Sequence, residues 1–255
     1  MIAKTEAIPI RISAYGGTSQ IVTWLTTDYG KISTAIKGAQ RPKRIGGGQY
    51  DLGYVCELLF YERENNGLHT FKDCTALEYR RSLRGQWRET ATLSYLCLVA
   101  GSGTIPAMQN PILYKKMFIA LHALEAAAPL QHLMLWFELQ VLALHGTAPQ
   151  LRQCTICRST PTEPYLLAPR AGGLICSRCN ATRLFETHTL PAPALLLLQQ
   201  LQRLPRPIPS THSGACQALP TDAIPGLGDF ANLWLDVPPH ARAVAYQMAT
   251  LHLHQ

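Results

Sequence analysis

The chain of 255 residues is 47% hydrophobic and only 15% charged, which predicts packed cores and excludes a largely disordered protein. No apolar run reaches the roughly 18 residues of a membrane-spanning helix, so we expect a soluble protein of the cytoplasm with no membrane partner. The formal net charge of +7 favours a polyanionic partner such as DNA, RNA or an acidic protein.

About the first 75 residues carry the alternating apolar pattern of short β-strands. The runs lie at residues 8–12, 21–25, 31–39, 54–61 and 68–74. Pro9 suits an edge strand, and Asn66-Gly67 predicts a hairpin between the last two runs. Five short strands in this length predict a small closed barrel of the OB type.

At Ala76 the hydrophobic period changes from that of strands to that of helices. Helices are predicted over residues 77–87 and 90–99, and the first of them would expose a basic face. That face carries Arg80, Arg81, Arg84 and Arg88. The first three of these arginines are therefore candidate contacts to a nucleic-acid backbone.

The rest of the chain is predicted to be mainly helical. The helices cover residues 112–125, 130–145, 194–204 and a last segment from about Pro239. The second is apolar nearly all round, which predicts a central buried helix ended by Gly146. Five prolines over residues 205–228 predict a loop-rich connection.

The densest positive charge that no acidic residue offsets lies between Ile36 and Tyr50. It consists of Lys37, Arg41, Lys43 and Arg44, followed by three glycines. A flexible basic loop can follow a phosphate backbone, because each Lys or Arg displaces a condensed counterion. We predict that this loop, with Arg11 and Lys31 on the neighbouring strands, binds DNA. The alternative is a solvated loop that is basic by chance.

Aromatic residues near this loop offer faces on which unpaired bases can stack. Tyr15 and Tyr29 each lie next to a glycine and are the preferred candidates. Trp24 lies in the middle of a predicted strand, so we expect it in the core.

Two Cys-x-x-Cys pairs occur in the second half of the chain, with eighteen residues between them. The four residues are Cys154, Cys157, Cys176 and Cys179. This spacing is typical of a zinc site in which each pair forms a knuckle and four thiolates close a tetrahedron. Four protein ligands leave no position for a water molecule, so we predict one structural Zn²⁺.

Other uses of these cysteines are less favoured. Two disulfides would need an oxidising compartment, and no apolar signal sequence precedes Lys4. A redox Cys-x-x-Cys would normally occur once, beside a strand-to-helix turn. The remaining cysteines are interpreted as ordinary buried thiols: Cys56, Cys74, Cys97 and Cys216.

These patterns together predict an α+β protein, in which a five-stranded OB-type barrel precedes an all-helical domain that carries a four-cysteine zinc module. The predicted divisions are a nucleic-acid-binding barrel at 1–78, a helical domain at 79–150, the zinc module at 151–186 and a C-terminal helical part at 187–255. The zinc module is expected as an insertion in the helical domain.

Short motifs near the start of the chain are similar to those of a known family. They are Lys4-Thr5-Glu6-Ala7, Tyr15-Gly16, Leu25-Thr26, Tyr29-Gly30-Lys31 and Lys37-Gly38-Ala39, followed by Arg-Pro-Lys-Arg at 41–44. A helical middle, Phe137-Glu138-Leu139 and the two Cys-x-x-Cys pairs follow in the family's order. On these motifs the chain resembles the bacterial RecO DNA repair proteins. It departs from them at Leu135 and Trp136, where many relatives have basic residues.

The resemblance implies a recombination mediator associated with the bacterial nucleoid. Such a protein would bind single- and double-stranded DNA and anneal complementary strands. Together with RecR, it would help load recombinase onto DNA coated by single-stranded-DNA-binding protein. The cysteines are absent from some members, which agrees with a structural role for the metal.

No catalytic motif stands out in the sequence. Gly30-Lys31 lacks the glycine that a phosphate-binding loop needs five positions earlier, and neither H-E-x-x-H nor G-x-S-x-G occurs. Glu62 and Glu64 flank Arg63 in a predicted hairpin, where solvated carboxylates are expected. We therefore predict no enzymatic activity and no small-molecule substrate. The alternative function is a zinc-ribbon adaptor that binds RNA or a protein partner.

Overall fold

The computed structural model describes residues 1–39, 50–63, 67–102, 104, 108–209 and 223–251. Five strands open the chain: β1 Ile2–Tyr15, β2 Ser19–Thr26, β3 Lys31–Ile36, β4 Val55–Tyr61 and β5 His69–Glu78. They form a closed barrel in the order β1-β2-β3-β5-β4, in which β3 and β5 pair in parallel and the other neighbours pair antiparallel. The predicted five-stranded OB-type barrel is confirmed.

Alternation along the strands divides their side chains between the barrel core and the outer face. Val22, Trp24 and Ile32 are buried inside, whereas Thr23 and Ser33 lie between them on the outward side. Trp24 also donates its indole N–H to the Thr34 hydroxyl over 2.9 Å. Trp24 is therefore a core residue with its polar atom satisfied, as expected.

The prediction that Pro9 marks an edge strand is wrong, because a closed barrel gives β1 neighbours on both sides. Residues 2–7 of β1 pair with β4, and residues 7–15 pair with β2. Pro9 lies beyond the last β4 pair and next to a bulge between Pro9 and Arg11. A proline is tolerated there because the regular ladder of hydrogen bonds is interrupted at a bulge.

The helix predicted over residues 77–87 is also wrong. The ladder between β4 and β5 continues to the pair Val55 and Glu78, so it uses the backbone groups that a helix would need. A single 3₁₀ turn follows at Arg81–Leu83, and helix α1 spans Trp87–Gly101. The helix predicted at 90–99 lies inside α1 and is confirmed.

The chain divides into two compact units, Met1–Leu121 and His122–Gln255. After α1, the elements in chain order are α2 Pro111–Glu125, α3 Leu130–Leu144, β6 Tyr165–Ala168, β7 Gly173–Ile175, α4 Ser177–Arg183, β8 His188–Leu190, α5 Ala192–Arg203, α6 Ala223–Leu235 and α7 Pro239–Thr250. Within the described residues, no helix is both long and apolar enough to pass through a membrane.

Helix α3 is the centre of the second unit, as predicted, and it contacts α5, α6 and α7. Three of its polar residues, His132, Glu138 and Gln140, are buried as well. Glu138 is fully buried and accepts two hydrogen bonds from Arg242 of α7, at 2.9 and 3.0 Å. The Trp136 indole donates to the carbonyl of Leu204 over 3.0 Å. The helix therefore combines apolar packing with a buried ion pair.

The loop predicted over residues 205–228 is too long, because its last residues belong to α6. Pro225 lies in the first turn of that helix. A proline is compatible with a first turn, since the N–H groups there have no partner within the helix. Of the rest of this segment, the structure describes residues 205–209 and 223–228.

Candidate metal centre and nucleic-acid surface

The four cysteines of the Cys-x-x-Cys pairs come from two different local structures. Cys154 and Cys157 lie in a tight turn, in which the N–H of Arg158 donates to the carbonyl of Cys154 over 2.9 Å. Cys176 precedes α4 as its N-cap residue, and Cys179 lies in the first turn of that helix. Both pairs therefore form short knuckles, as predicted from their spacing.

A sheet of three strands in the order β7-β6-β8 lies beside these knuckles. The position of Gly173, at the start of β7, requires a glycine because of its surroundings and because of its φ of 154°. A Cβ at this position would lie 2.3 Å from the carbonyl oxygen of Gln150. The close approach joins the chain before the first knuckle to the strand that leads into the second.

The four Sγ atoms lie within 4.8 Å of one another and form a group that can hold a metal ion. The sulfurs of Cys157 and Cys176 are 3.7 Å apart. A tetrahedron with Zn–S bonds of about 2.3 Å has edges of about 3.8 Å, so this distance fits such an ion. Cys154 is buried, and Cys157 is exposed. The donor set therefore fits a soft divalent cation.

Local hydrogen bonds shift the pKa values of these thiols. A bond with the Ser159 hydroxyl, at 3.1 Å, is the largest cause that lowers the pKa of Cys157 to about 6. The pKa of Cys179 is raised to about 12, first by its hydrogen bond with Cys176. Neighbouring thiols resist losing all their protons together, and a cation relieves that repulsion. Ser159 was not identified from the sequence.

The predicted basic loop is only partly within the described residues. Lys37 follows the end of β3 and is exposed. Arg41, Lys43 and Arg44 lie outside the described residues. Arg11, on the outer face of β1, is also exposed, whereas Lys31 is half-buried at the start of β3.

The two tyrosines proposed as stacking faces differ in their accessibility. Tyr15 ends β1 and is 53% exposed. Tyr29 is half-buried and packs edge-on against Phe60 of the barrel core, with ring centroids 5.2 Å apart. Tyr15 is therefore the better placed of the two to contact a base.

Three of the four arginines assigned to an exposed helical face lie instead at or beside the 3₁₀ turn, and Arg88 lies in the first turn of α1. Arg80 is 3% exposed and bonds Glu78 over 2.7 Å, which corrects its placement on an exposed face. Arg81 lies over the ring of Tyr79, 4.7 Å from its centroid. Both side chains therefore already contact other residues of the first compact unit.

Arg84 is the third of these arginines and is likewise partnered. Its guanidinium bonds the Asp51 carboxylate and the Tyr54 hydroxyl, the latter at 2.6 Å. Asp51 offsets its charge, so Arg84 is a weaker candidate for a phosphate contact than Arg11 or Lys37.

The fold and the cysteine cluster together define a class of protein: an OB-type barrel followed by a helical unit with four clustered cysteines that can hold a metal ion. Two family models match the chain. The model described as "Recombination protein O N terminal" matches residues 1–80, and that described as "Recombination protein O C terminal" matches residues 84–208.

Curated relatives agree with these matches. A DNA repair protein RecO from Halalkalibacterium halodurans is 30% identical over 183 residues, which cover 70% of this chain and 69% of the relative. A DNA repair protein RecO from Listeria welshimeri is 30% identical over 210 residues, covering 79% of each. One from Bacillus subtilis is 27% identical over 198 residues, covering 77% and 76%. The chain belongs to the RecO family of DNA repair proteins, and the resemblance in the sequence motifs is confirmed.

Proposed function

We propose that this protein is a recombination mediator of the nucleoid. It binds single- and double-stranded DNA, anneals complementary strands and, with RecR, helps load recombinase onto DNA coated by single-stranded-DNA-binding protein. Membership of a DNA repair family supports the role. The observation that carries the DNA contact is the exposure of Arg11 and Lys37 on a barrel of the OB type, a fold that binds nucleic acids on its outer face.

The mechanism in this proposal is neutralisation of charge together with base stacking, with no bond made or broken. The basic loop of Lys37, Arg41, Lys43 and Arg44 follows a phosphate backbone, with Arg11 and Lys31 beside it on the barrel. Tyr15 supplies a stacking face. Two backbones that are neutralised in this way repel each other less, so complementary strands can pair.

We also propose that the four cysteines hold one Zn²⁺ with a structural role. The spacing of their sulfurs and the set of four thiolate donors support this assignment. When bound, the ion ties the turn at Cys154 to the start of α4. In this division of roles, residues 1–78 contact DNA and residues 151–186 form the metal module. Residues 79–150 and 187–255 supply the helical framework.

The DNA proposal is tested by replacing Lys37, Arg41, Lys43 and Arg44 together by Ala. Each phosphate contact on single-stranded DNA contributes about 0.7 to the slope of log K against log salt, so the slope should flatten by about two to three. Binding of a labelled oligonucleotide at several salt concentrations measures the slope, and a strand-annealing assay should lose rate in parallel.

A control variant separates local contacts from the effect of total charge. Replacement of the exposed Lys72, Lys115, Arg152 and Arg178 by Ala removes the same formal charge elsewhere on the chain. This variant should keep the wild-type slope. An equal slope in the loop variant and the wild type would contradict the proposed contact. A preference for structured RNA over single-stranded DNA would favour an adaptor function instead.

A further inference from the structure

A cavity of about 590 Å³ opens between the outer face of strands β1–β3 and helix α1, within the first compact unit. Its polar lining consists of Arg11, Thr23, Lys31, Ser33, Ser94 and Ser102. Leu52 and Leu98 contribute apolar walls. No acidic residue is among the described residues that line it. Its volume is within the range typical of small-ligand sites.

Strand register brings these polar residues together. Arg11 on β1 pairs with Thr23 on β2, and Thr23 pairs in turn with Ser33 on β3. Lys31 lies two residues before Ser33, so it shares the same face of the sheet. Two cations and two hydroxyl groups therefore form one patch, although they are far apart in the sequence.

The electrostatics of the cavity favour an anion. Lys31 donates a hydrogen bond from Nζ to the carbonyl of Gly101 over 2.7 Å, so its charge faces the negative end of α1. An ammonium has three N–H groups, and among the described residues this is its one side-chain bond. Burial lowers the pKa of Lys31 because it disfavours the charged ammonium, and a bound anion would offset that cost. Arg11 is exposed at the opening and carries the second positive charge.

The hydroxyl groups provide both donors and acceptors. Thr23 Oγ1 and Ser33 Oγ are 3.1 Å apart and share one hydrogen bond, which leaves one O–H to donate outward. Ser94 uses its hydrogen in a bond to the carbonyl of Thr90 over 2.9 Å, so its oxygen remains an acceptor. This mixture, beside aliphatic walls, suits the edge and face of a nucleobase better than an inorganic anion.

We propose that the cavity is a nucleotide subsite that takes one phosphorylated nucleoside. Its phosphate faces Arg11 and Lys31, and its base lies among the hydroxyl groups and against Leu98. A unit of single-stranded DNA and a free nucleotide share this chemistry. Binding of a DNA unit in the cavity rests on the proposed function, whereas binding of a free nucleotide does not.

The decisive variant is Ser94→Trp, tested against oligothymidylate and an abasic strand of equal length. Ser94 is exposed and its hydroxyl bonds the carbonyl of Thr90 in its own helix, so the indole should fill the cavity without disturbing the barrel. Loss of one base contact should weaken oligothymidylate binding about tenfold, and abasic binding should not change. Thr75→Trp, an exposed strand position away from the cavity, is the matched control and should bind both strands like the wild type.

A second variant tests the charge and does not depend on how well a new indole is accommodated. Arg11→Gln should weaken binding of thymidine monophosphate, measured by calorimetry, about tenfold, the effect of losing one charge-assisted contact. Lys72→Gln removes an exposed charge from another strand and should leave that binding unchanged. Thermal unfolding of each variant confirms that it is folded.

The outcomes separate the subsite from the proposed function. Normal DNA binding by Ser94→Trp, with no uptake of thymidine monophosphate by the wild type, overturns the subsite and leaves the DNA-binding function in place. Nucleotide binding that Ser94→Trp abolishes, in a protein that binds no DNA, supports the subsite and overturns the proposed function. If Ser94→Trp weakens binding of the abasic strand as much as binding of oligothymidylate, the base pocket is overturned, because the indole would then block the backbone. A wild type that binds neither DNA nor nucleotide overturns both.

Discussion

The two compact units use their ionisable groups in different ways. In the first unit, Arg11 and Lys37 are exposed on or beside the barrel, where a ligand can reach them. In the second, Glu138 and Arg242 are buried against each other and the four thiols lie in one cluster. On the proposed function, Arg11 and Lys37 would serve recognition, whereas the buried pair and the thiol cluster of the second unit would serve stability. Substitutions should separate accordingly into binding effects and folding effects.

The largest effect is expected at the metal centre, with Cys154→Ser. Loss of one buried ligand should reduce bound zinc from one per chain to nearly none, since the remaining sulfurs no longer close the tetrahedron. Metal binding to such sites is coupled to folding, so the second unit should lose about 5 kcal/mol or more of its free energy of unfolding. Elemental analysis and thermal unfolding measure the two quantities.

Cys97→Ala is the control for this substitution, because Cys97 is a buried thiol of the first unit. It should keep one zinc per chain. A zinc-free wild type that is as stable as the metal-loaded protein would contradict the assignment. Cys154→Ser should keep the circular dichroism signal of the barrel strands and the DNA affinity of the wild type.

The buried ion pair should give the next largest effect. Arg242→Ala leaves the Glu138 carboxylate buried without its cation, and breaking such a pair costs about 3–5 kcal/mol. Denaturant unfolding should report this loss in the second unit, while single-stranded DNA binding stays within twofold of the wild type.

The double variant Glu138→Leu with Arg242→Met sharpens this test. It removes both charges and replaces them by apolar groups of similar size, which is often neutral in a buried site. It should therefore be more stable than Arg242→Ala. If the two variants were equally unstable, packing around α7 would explain the loss better than an unpaired charge.

Sequence patterns predicted the barrel well, because its signals are local. Alternating apolar residues define each strand, and burial of Val22, Trp24 and Ile32 follows directly from that alternation. The cysteine spacing predicted the clustering of the four thiols for a similar reason, since each knuckle is formed within four residues. Such features need little information about distant partners.

Features that depend on pairing with distant residues were missed. Residues 77–87 have a helical pattern on their own, but Val55 pairs with Glu78 and extends β5. The partners of Arg80 and Arg84, Glu78 and Asp51, could not be assigned without that fold. The cavity beside α1 was missed for the same reason, because Ser94 meets β1–β3 only after the helix has packed.

A smaller effect is expected in the pH dependence of the second unit's free energy of unfolding. His132 on α3 is 5% exposed, and burial lowers its pKa from 6.5. The unfolded chain therefore binds a proton below about pH 6.5 that the folded chain does not, so stability should fall as the pH decreases, by at most about 1.4 kcal/mol per pH unit. His132→Leu should flatten this dependence between pH 6.5 and 5, as measured by denaturant unfolding. An unchanged slope would mean that another group titrates.

The smallest effect is expected for an arginine of the first unit that is already paired with a carboxylate. Arg84 is more than half exposed and pairs with Asp51, which is also accessible to water. Exposed ion pairs contribute about 0–1 kcal/mol, so Arg84→Ala should change barrel stability by less than about 1 kcal/mol. Because Asp51 already offsets its charge, the salt slope of single-stranded DNA binding should also remain unchanged. A fall of about 0.7 in that slope would place Arg84 on a phosphate instead. The DNA path would then extend along the 3₁₀ turn, and Arg81 over the Tyr79 ring would become the next residue to replace.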